Sequence, residues 1–497
     1  MKIGRIVFFV LLMVKGAYAQ KAYHEQYRPQ IHFSPPAHWM NDPNGMVYYG
    51  GVYHLFYQYY PGATVWGPMH WGHATSTDLV HWKNKPVALY PDSLGYIFSG
   101  SAVVDFHNTS GFGKNGHPPL IAIFTYHDPI KEKAHRLDVQ SQGVAYSNDG
   151  GNSWKKYSGN PVLQNPGISD FRDPKVQWYE PGKMWIMTLA TKDRVTFYSS
   201  KDFKSWVRES DFGAQTGAHG GVWECPDLFK ISASDGAEKW VLIANINPGG
   251  PQGGSATQYF IGNFNGNNFQ ADDNEIRWLD AGSDEYAGVT WSNTGNRRLF
   301  LGWMSNWDYA NIVPTKIWRS AMTIPREMKL VKEASQYYLA SKPVKELGAI
   351  SGKTIILNAK QHQYGINTQS GSFMLKLKTT QLKSFSITFS NDRKEKLVVG
   401  FDDSGNQWFI DRSRAGESGF SNNFVRKIAT NRIAKIQGSD LTIVIDASSV
   451  ELFADGGLTT MTSIFFPAKP FSAISLDASQ GFQTSRLSYT PLKSIWP

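Results

Sequence analysis

Three carboxylates stand in turn-like settings that fix their direction: Asp42 in WMNDPNG, Asp173 in FRDPK and Glu224 in WECPDLF. Proline follows the first two directly and the third after one cysteine. Because proline restricts the residue before it to extended backbone, the sequence predicts an extended Asp42 and an extended Asp173, each with its carboxylate aimed. Such acids suit glycosidic cleavage, in which one carboxylate attacks the anomeric carbon and a second carboxyl group protonates the leaving oxygen. The stretch HWMNDPNGMVYYGGVYHLFYQYYP, residues 38–61, surrounds the first acid with Trp, Tyr and Phe. Such rings cover the apolar faces of a sugar while polar groups bind its hydroxyls. One Asp-Pro-Asn-Gly alone is commonly just a turn. Three such acids, each with aromatic neighbours, carry the catalytic reading.

Other chemistry is weaker. His70 and His73 in HWGH would point to opposite faces of a strand, and no third ligand accompanies them, so no metal is expected. Cys225, the one cysteine, follows Glu224, whose charge opposes thiolate formation, and it reads as a small buried residue. It also leaves no intrachain disulfide.

The acids need a scaffold that brings distant positions together. STDLVHW (Ser76 to Trp82), SNDGGNSW (Ser147 to Trp154) and SKDFKSW (Ser200 to Trp206) repeat Ser-x-Asp, a turn and Trp, each after a strand-like run. Copies 71 and 53 residues apart fit one four-stranded blade each. About 300 residues at that spacing give roughly five blades, whose innermost strands converge on a central funnel. Residues 331–350 read as a linker with a short helix, and 351–497 as a second all-β unit, a β-sandwich of alternating strands such as SFMLKLKTT and DLTIVIDASSVELFAD. The expected organisation is all-β: a five-bladed β-propeller over 20–330 followed by a C-terminal β-sandwich.

At the N-terminus, Lys2 and Arg5 precede the apolar run Ile6 to Val14 and the small-residue site Ala17-Tyr18-Ala19, so residues 1–19 read as a secretory signal peptide. Export to the periplasm or the medium is the expectation, with no membrane anchor. Loss of Lys2, Arg5 and Lys15 with that leader lowers the formal charge of +9 by three. The remaining basic residues are scattered, without the stripe of a nucleic-acid surface, and no nucleic-acid partner is expected. Asn108-Thr109-Ser110 would be glycosylated only in a eukaryotic host.

The ordered set WMNDPNG, FRDP and WECPDLF resembles glycoside hydrolase family 32, the invertases, inulinases and levanases acting on β-fructofuranosides. GYIFSGSAVVD, GWMSNWDYA, PTKIWRSAMTIPRE and VELFADGG extend the resemblance over essentially the whole mature chain. The resemblance implies a five-bladed propeller joined to a sandwich and a retaining, cofactor-free mechanism. Carried over by motif, Asp42 would be the nucleophile, Glu224 the general acid and then base, and Asp173 the transition-state stabiliser that holds fructose hydroxyls, with Arg172 beside it as an orienting cation. Asn41, Gln58, Trp66, Phe98 and Ser99 would contact the terminal fructosyl unit, and Trp303 would close the pocket. The segments GYIFSGSAVVD and GWMSNWDYA look most like exo-acting fructanases, which release terminal fructose from levan or inulin. Endo-levanase, sucrose-preferring invertase, fructosyltransferase, an arabinan-acting propeller enzyme and a non-catalytic fructan-binding protein are the alternatives, and either a monomer or a dimer is compatible with the sequence.

Overall fold

The aromatic and β-branched runs of the first two thirds form sheets rather than helices. LIAIFTYH, Leu120–His127, is buried along its whole length because sheets pack on both of its faces. The outer strand Lys83–Leu89 is largely exposed and carries lysines and a proline, residues that suit a sheet edge. The computed structural model describes residues 23–358, 361–366, 371–424 and 427–497. The leader read at residues 1–19 lies outside them.

Five sheets make up the first unit, and their innermost strands are β1 (His38–Tyr49), β2 (Tyr96–Val104), β3 (Phe171–Tyr179), β4 (Val222–Ser232) and β5 (Tyr286–Thr290). These five contact one another in sequence around a ring, and β5 closes on β1. The fold is the expected five-bladed propeller. The three Ser-x-Asp-Trp repeats occupy the same place in the first three blades, the loop from third to fourth strand. Asp78, Asp149 and Asp202 each accept from their turn: His81 N donates to Asp78 at 2.8 Å, Ser153 N to Asp149 at 2.9 Å and Lys204 N to Asp202 at 2.9 Å. Trp154 and Trp206 donate back to Gly151 O and Phe203 O.

The segment read as a linker, 331–350, is different in the structure. Arg326–Glu333 and Gln336–Pro343 pair as the outer hairpin of the fifth blade, so the propeller runs to residue 343, and only a 3-10 turn, Lys345–Ile350, leads onward. Its charged residues lie on the solvent side of an edge hairpin whose Met328 and Leu330 are buried, which gives the mixed pattern.

Two six-stranded antiparallel sheets form the C-terminal sandwich. FMLKLKTTQ, Phe373–Gln381, shows the alternation that builds it: Phe373, Leu375 and Leu377 enter the core while Lys376 and Lys378 face outward. Between propeller and sandwich lies a buried ionic network. Arg326 donates to Asp280 Oδ2 at 2.9 Å and, through Nε, to Glu451 Oε2 at 3.1 Å. His32 bridges Asp446, 2.7 Å away, and Glu451, 2.9 Å away. Arg412 from the sandwich reaches Asp284 of the propeller at 2.6 Å. Among the described residues no helix is long and apolar enough to cross a membrane.

Candidate active site

Each inner strand carries a β-bulge, where two of its residues face one partner. Asn41-Asp42 face Gln58 on the neighbouring strand, Phe98-Ser99 face Thr125, Asp173-Pro174 face Leu189, Cys225-Pro226 face Ala244 and Ala287-Gly288 face Gly302. A bulge bends the strand and re-aims a side chain, and the bulged pairs of the first three blades turn Asn41, Asp42, Phe98, Ser99 and Asp173 toward the funnel, while Glu224 directly precedes the bulge of the fourth. Gly100 lets β2 press against its neighbour, because a Cβ there would lie 2.0 Å from Ile123 O.

The proline reading needs correction here. Asp173 precedes Pro174 yet has φ of 63°, and Cys225 precedes Pro226 with φ of 42°. Both bulges override the extended preference: Asp173 N is held by Thr125 Oγ1 at 3.0 Å, and Cys225 N donates to Asp173 Oδ2 at 3.0 Å. The directions of the acids are fixed by the bulges and these bonds.

A cavity of about 560 Å³ opens at the funnel and is lined by Asn41, Asp42, Gln58, Trp66, Phe98, Ser99, Arg172, Asp173 and Glu224, together with Trp307 and the rim segment around His127 to Gln140. The structure therefore brings all three acids and six of the seven expected contact residues together. Trp303 is the exception: it is fully buried behind the wall, where its indole donates to Met40 O at 3.2 Å. Trp307, stacked against Trp39 and packed on Trp303, faces the cavity instead. Trp303 lies inside the strand Arg298–Met304 with its side chain buried, whereas Trp307 lies in the turn beyond it.

Hydrogen bonds tie the acids into one cluster. Ser99 Oγ donates to Asp42 Oδ2 at 2.7 Å, and Asn41 Nδ2 to Asp42 Oδ1 at 2.9 Å. Trp39 Nε1 in turn holds Asn41 Oδ1 at 2.8 Å. Arg172 donates to Glu224 Oε1 at 3.0 Å and to Asp170 Oδ1 at 2.5 Å. The Tyr286 hydroxyl donates to Glu224 Oε2. Cys225 Sγ sits 3.6 Å from both Asp42 Oδ2 and Asp173 Oδ2. Gln58 Nε2 is buried without a hydrogen-bond partner among the described residues, leaving a donor at the wall for a hydroxyl.

Burial first, then the charge of Glu224, pushes Asp42 above the ordinary carboxylate range, while the bonds from Ser99 and Asn41 pull it back. Asp173 is pushed up by burial; Arg172 opposes that rise, and Glu224 and Asp42 reinforce it. Burial and the neighbouring Glu224 keep the Tyr286 phenol protonated, and burial with three acids around it keeps Cys225 a neutral thiol. Burial works against the Arg172 charge, but Glu224, Asp173 and Asp170 more than offset it. Thus Cys225 is more than a filler of space: it lies buried behind the cavity wall as a weak donor between two carboxylates. No sequence motif marks Tyr286 or His127, whose ring stacks on Phe98 at 4.3 Å between centroids. Among the described residues no group of three His, Cys, Asp or Glu side chains is placed to hold a metal. His70 bonds Pro68 O, and His73 packs on His54 and Phe56.

Known proteins share this sequence pattern and fold. Residues 32–343 match the glycosyl hydrolases family 32 N-terminal domain, and 339–493 match the family 32 C-terminal domain. The levanase of Bacillus subtilis is 44% identical over 99% of this chain and 75% of its own length. The extracellular exo-inulinase of Aspergillus ficuum is 38% identical over 90% of each chain. The crystal structure of exo-inulinase from Aspergillus awamori superposes with a TM-score of 0.88 at 36% identity, covering 95% of this chain and all of that one. With both of its structural units matched in order and the three acids joined in one cavity, the chain belongs to glycoside hydrolase family 32.

Proposed function

We propose that the protein is an exported exo-β-fructosidase, which removes terminal β-D-fructofuranosyl units from levan or inulin and also cleaves sucrose. The observation that carries the reading is the convergence of Asp42, Asp173 and Glu224 from three bulged strands into one cavity with aromatic and hydrogen-bonding walls. The names of the levanase and the exo-inulinases support the choice of fructan, and that of the extracellular exo-inulinase supports export.

In this reading Asp42, steadied by Ser99 and Asn41, attacks the anomeric carbon of the terminal fructosyl unit. Glu224 gives its proton to the departing glycosidic oxygen, and a fructosyl ester forms on Asp42. Water then enters, Glu224 takes its proton, and attack at the same carbon frees fructose with retained configuration. Arg172 and Tyr286 hold the two oxygens of Glu224 and so set its direction. Asp173, anchored by Cys225 N, binds sugar hydroxyls and balances positive charge on the ring as the bond breaks. Trp66 and Phe98, edge to face at 6.0 Å, and Trp307 cover the apolar parts of the ring.

A chromatographic time course on levan and on inulin, sampled at a few per cent conversion, tests this function. Fructose as the sole early product is expected, and the faster polymer names the linkage. An early ladder of oligosaccharides would replace exo action with endo action, and products from an arabinan alone would remove the fructosidase reading.

A further inference from the structure

A second cavity, of about 300 Å³, lies where the outer rims of the fourth and fifth blades meet the edge strands of the sandwich. It shares no lining residue with the catalytic funnel. Two half-buried rings, Trp278 from the fourth blade and Tyr338 from the fifth, line it, with Tyr259 buried between. Thr459 and Thr460 supply the sandwich side. Their hydroxyls, and Nε of Arg277, are buried without hydrogen-bond partners among the described residues. Such orphans are costly in a folded protein unless a partner arrives.

The chemistry narrows that partner. Arg277 is neutralised by Asp273, with both terminal nitrogens at 2.7 Å, and its guanidinium lies 5.4 Å from the Tyr338 ring, so the groove does not select an anion. Aromatic faces beside unsatisfied hydroxyl and N–H groups fit an uncharged ligand with apolar faces and many hydroxyls. We propose that this groove is a non-catalytic fructan-binding subsite, formed jointly by propeller and sandwich, which grips polymer away from the point of cleavage. The proposal rests on the fructosidase reading. It gives the sandwich a role in polymer capture: a chain held there keeps its ends near the funnel at raised local concentration.

Affinity electrophoresis through gels containing levan or inulin tests it, run with Glu224→Gln protein so that the gel polymer stays intact. Adding Tyr338→Ala should weaken retardation. In the otherwise active enzyme, Tyr338→Ala should raise the polymer KM about three- to tenfold while sucrose kcat/KM holds, the scale expected for losing one stacked ring. Trp278→Ala is the second variant, accepted once its far-UV spectrum and melting match the parent. If both folded variants keep parental retardation and polymer KM, or if sucrose and polymer suffer alike, the groove is not a polymer subsite. A parent enzyme that releases no fructose from sucrose or polymer would instead overturn the fructosidase reading, so the two failures are distinct.

Discussion

The funnel floor and the propeller–sandwich interface both bury carboxylates, and they treat them oppositely. Asp173 at the funnel is 5% exposed and Asp446 at the interface 2%, so burial hardly differs. Yet Asp173 and Asp42 are pushed above their ordinary range, while Asp446 and Glu451 are held below it. Burial raises all four. At the interface His32 and Arg326 overcome it, whereas at the funnel Arg172 is shared among Glu224, Asp173 and Asp170 and like charges reinforce the rise. Paired acids lock two structural units together; crowded, under-neutralised acids mark a reactive site.

The comparison breaks first if the funnel proves structural. Glu224→Gln should lower kcat about 10²- to 10⁴-fold, the range for removing a general acid, without lowering the thermal midpoint. A variant that melts early while keeping turnover would make Glu224 a structural residue. Arg326→Met is the converse: it leaves Asp280 buried without its cation and Glu451 with His32 alone, and should cost about 3–5 kcal/mol in urea unfolding. Its kcat per folded molecule should equal the parent's. A large loss of turnover at unchanged stability would show that the interface reaches into catalysis.

What the sequence reveals follows the same division. The funnel acids sit in short local motifs, and the blade number follows from loops that repeat Ser-x-Asp-Trp, so both were legible from neighbouring residues. The interface was not: His32 meets Asp446 and Glu451 more than 400 positions away, and nothing near any of the three announces it. Tyr286 and Cys225 escaped for a related reason, since only closure of the ring puts them beside acids from other blades. The proline argument gave the wrong backbone at Asp173, where a bulge held by Thr125 outweighs the local preference. In GWMSNWDYA the end of the strand, invisible in composition, puts Trp307 and not Trp303 on the cavity wall.

The interface also sets a pH signature of its own. Burial opposes the charge on His32, but its bonds to Asp446 and Glu451 prevail and raise it from 6.5 to about 9. A raised folded pKa contributes stability that is complete below the unfolded value near 6.5 and is lost as pH climbs through about 9. The shift corresponds to about 3 kcal/mol. Thermal midpoints of the parent and of His32→Gln should therefore stand apart at pH 6 and approach each other above pH 9. A gap of constant size across that range would mean that His32 is held by packing and not by charge.

The finest test lies with Ser99, which touches only one acid of the funnel. Its hydroxyl bonds the ionised form of Asp42, so its removal raises the Asp42 pKa further. Attack requires the carboxylate, and the acid limb of the kcat/KM profile should move to higher pH in Ser99→Ala. One hydrogen bond to a charged group is worth about 1.5 kcal/mol, which sets the expected displacement at about one pH unit. Ser99→Thr keeps the hydroxyl and should return the limb toward its parental position, provided the extra methyl is accommodated. An acid limb that stays in place while kcat falls at every pH would mean that Ser99 touches the sugar and leaves the charge of Asp42 alone. The contrast between paired and crowded acids would then rest on the repulsion from Glu224 and on burial.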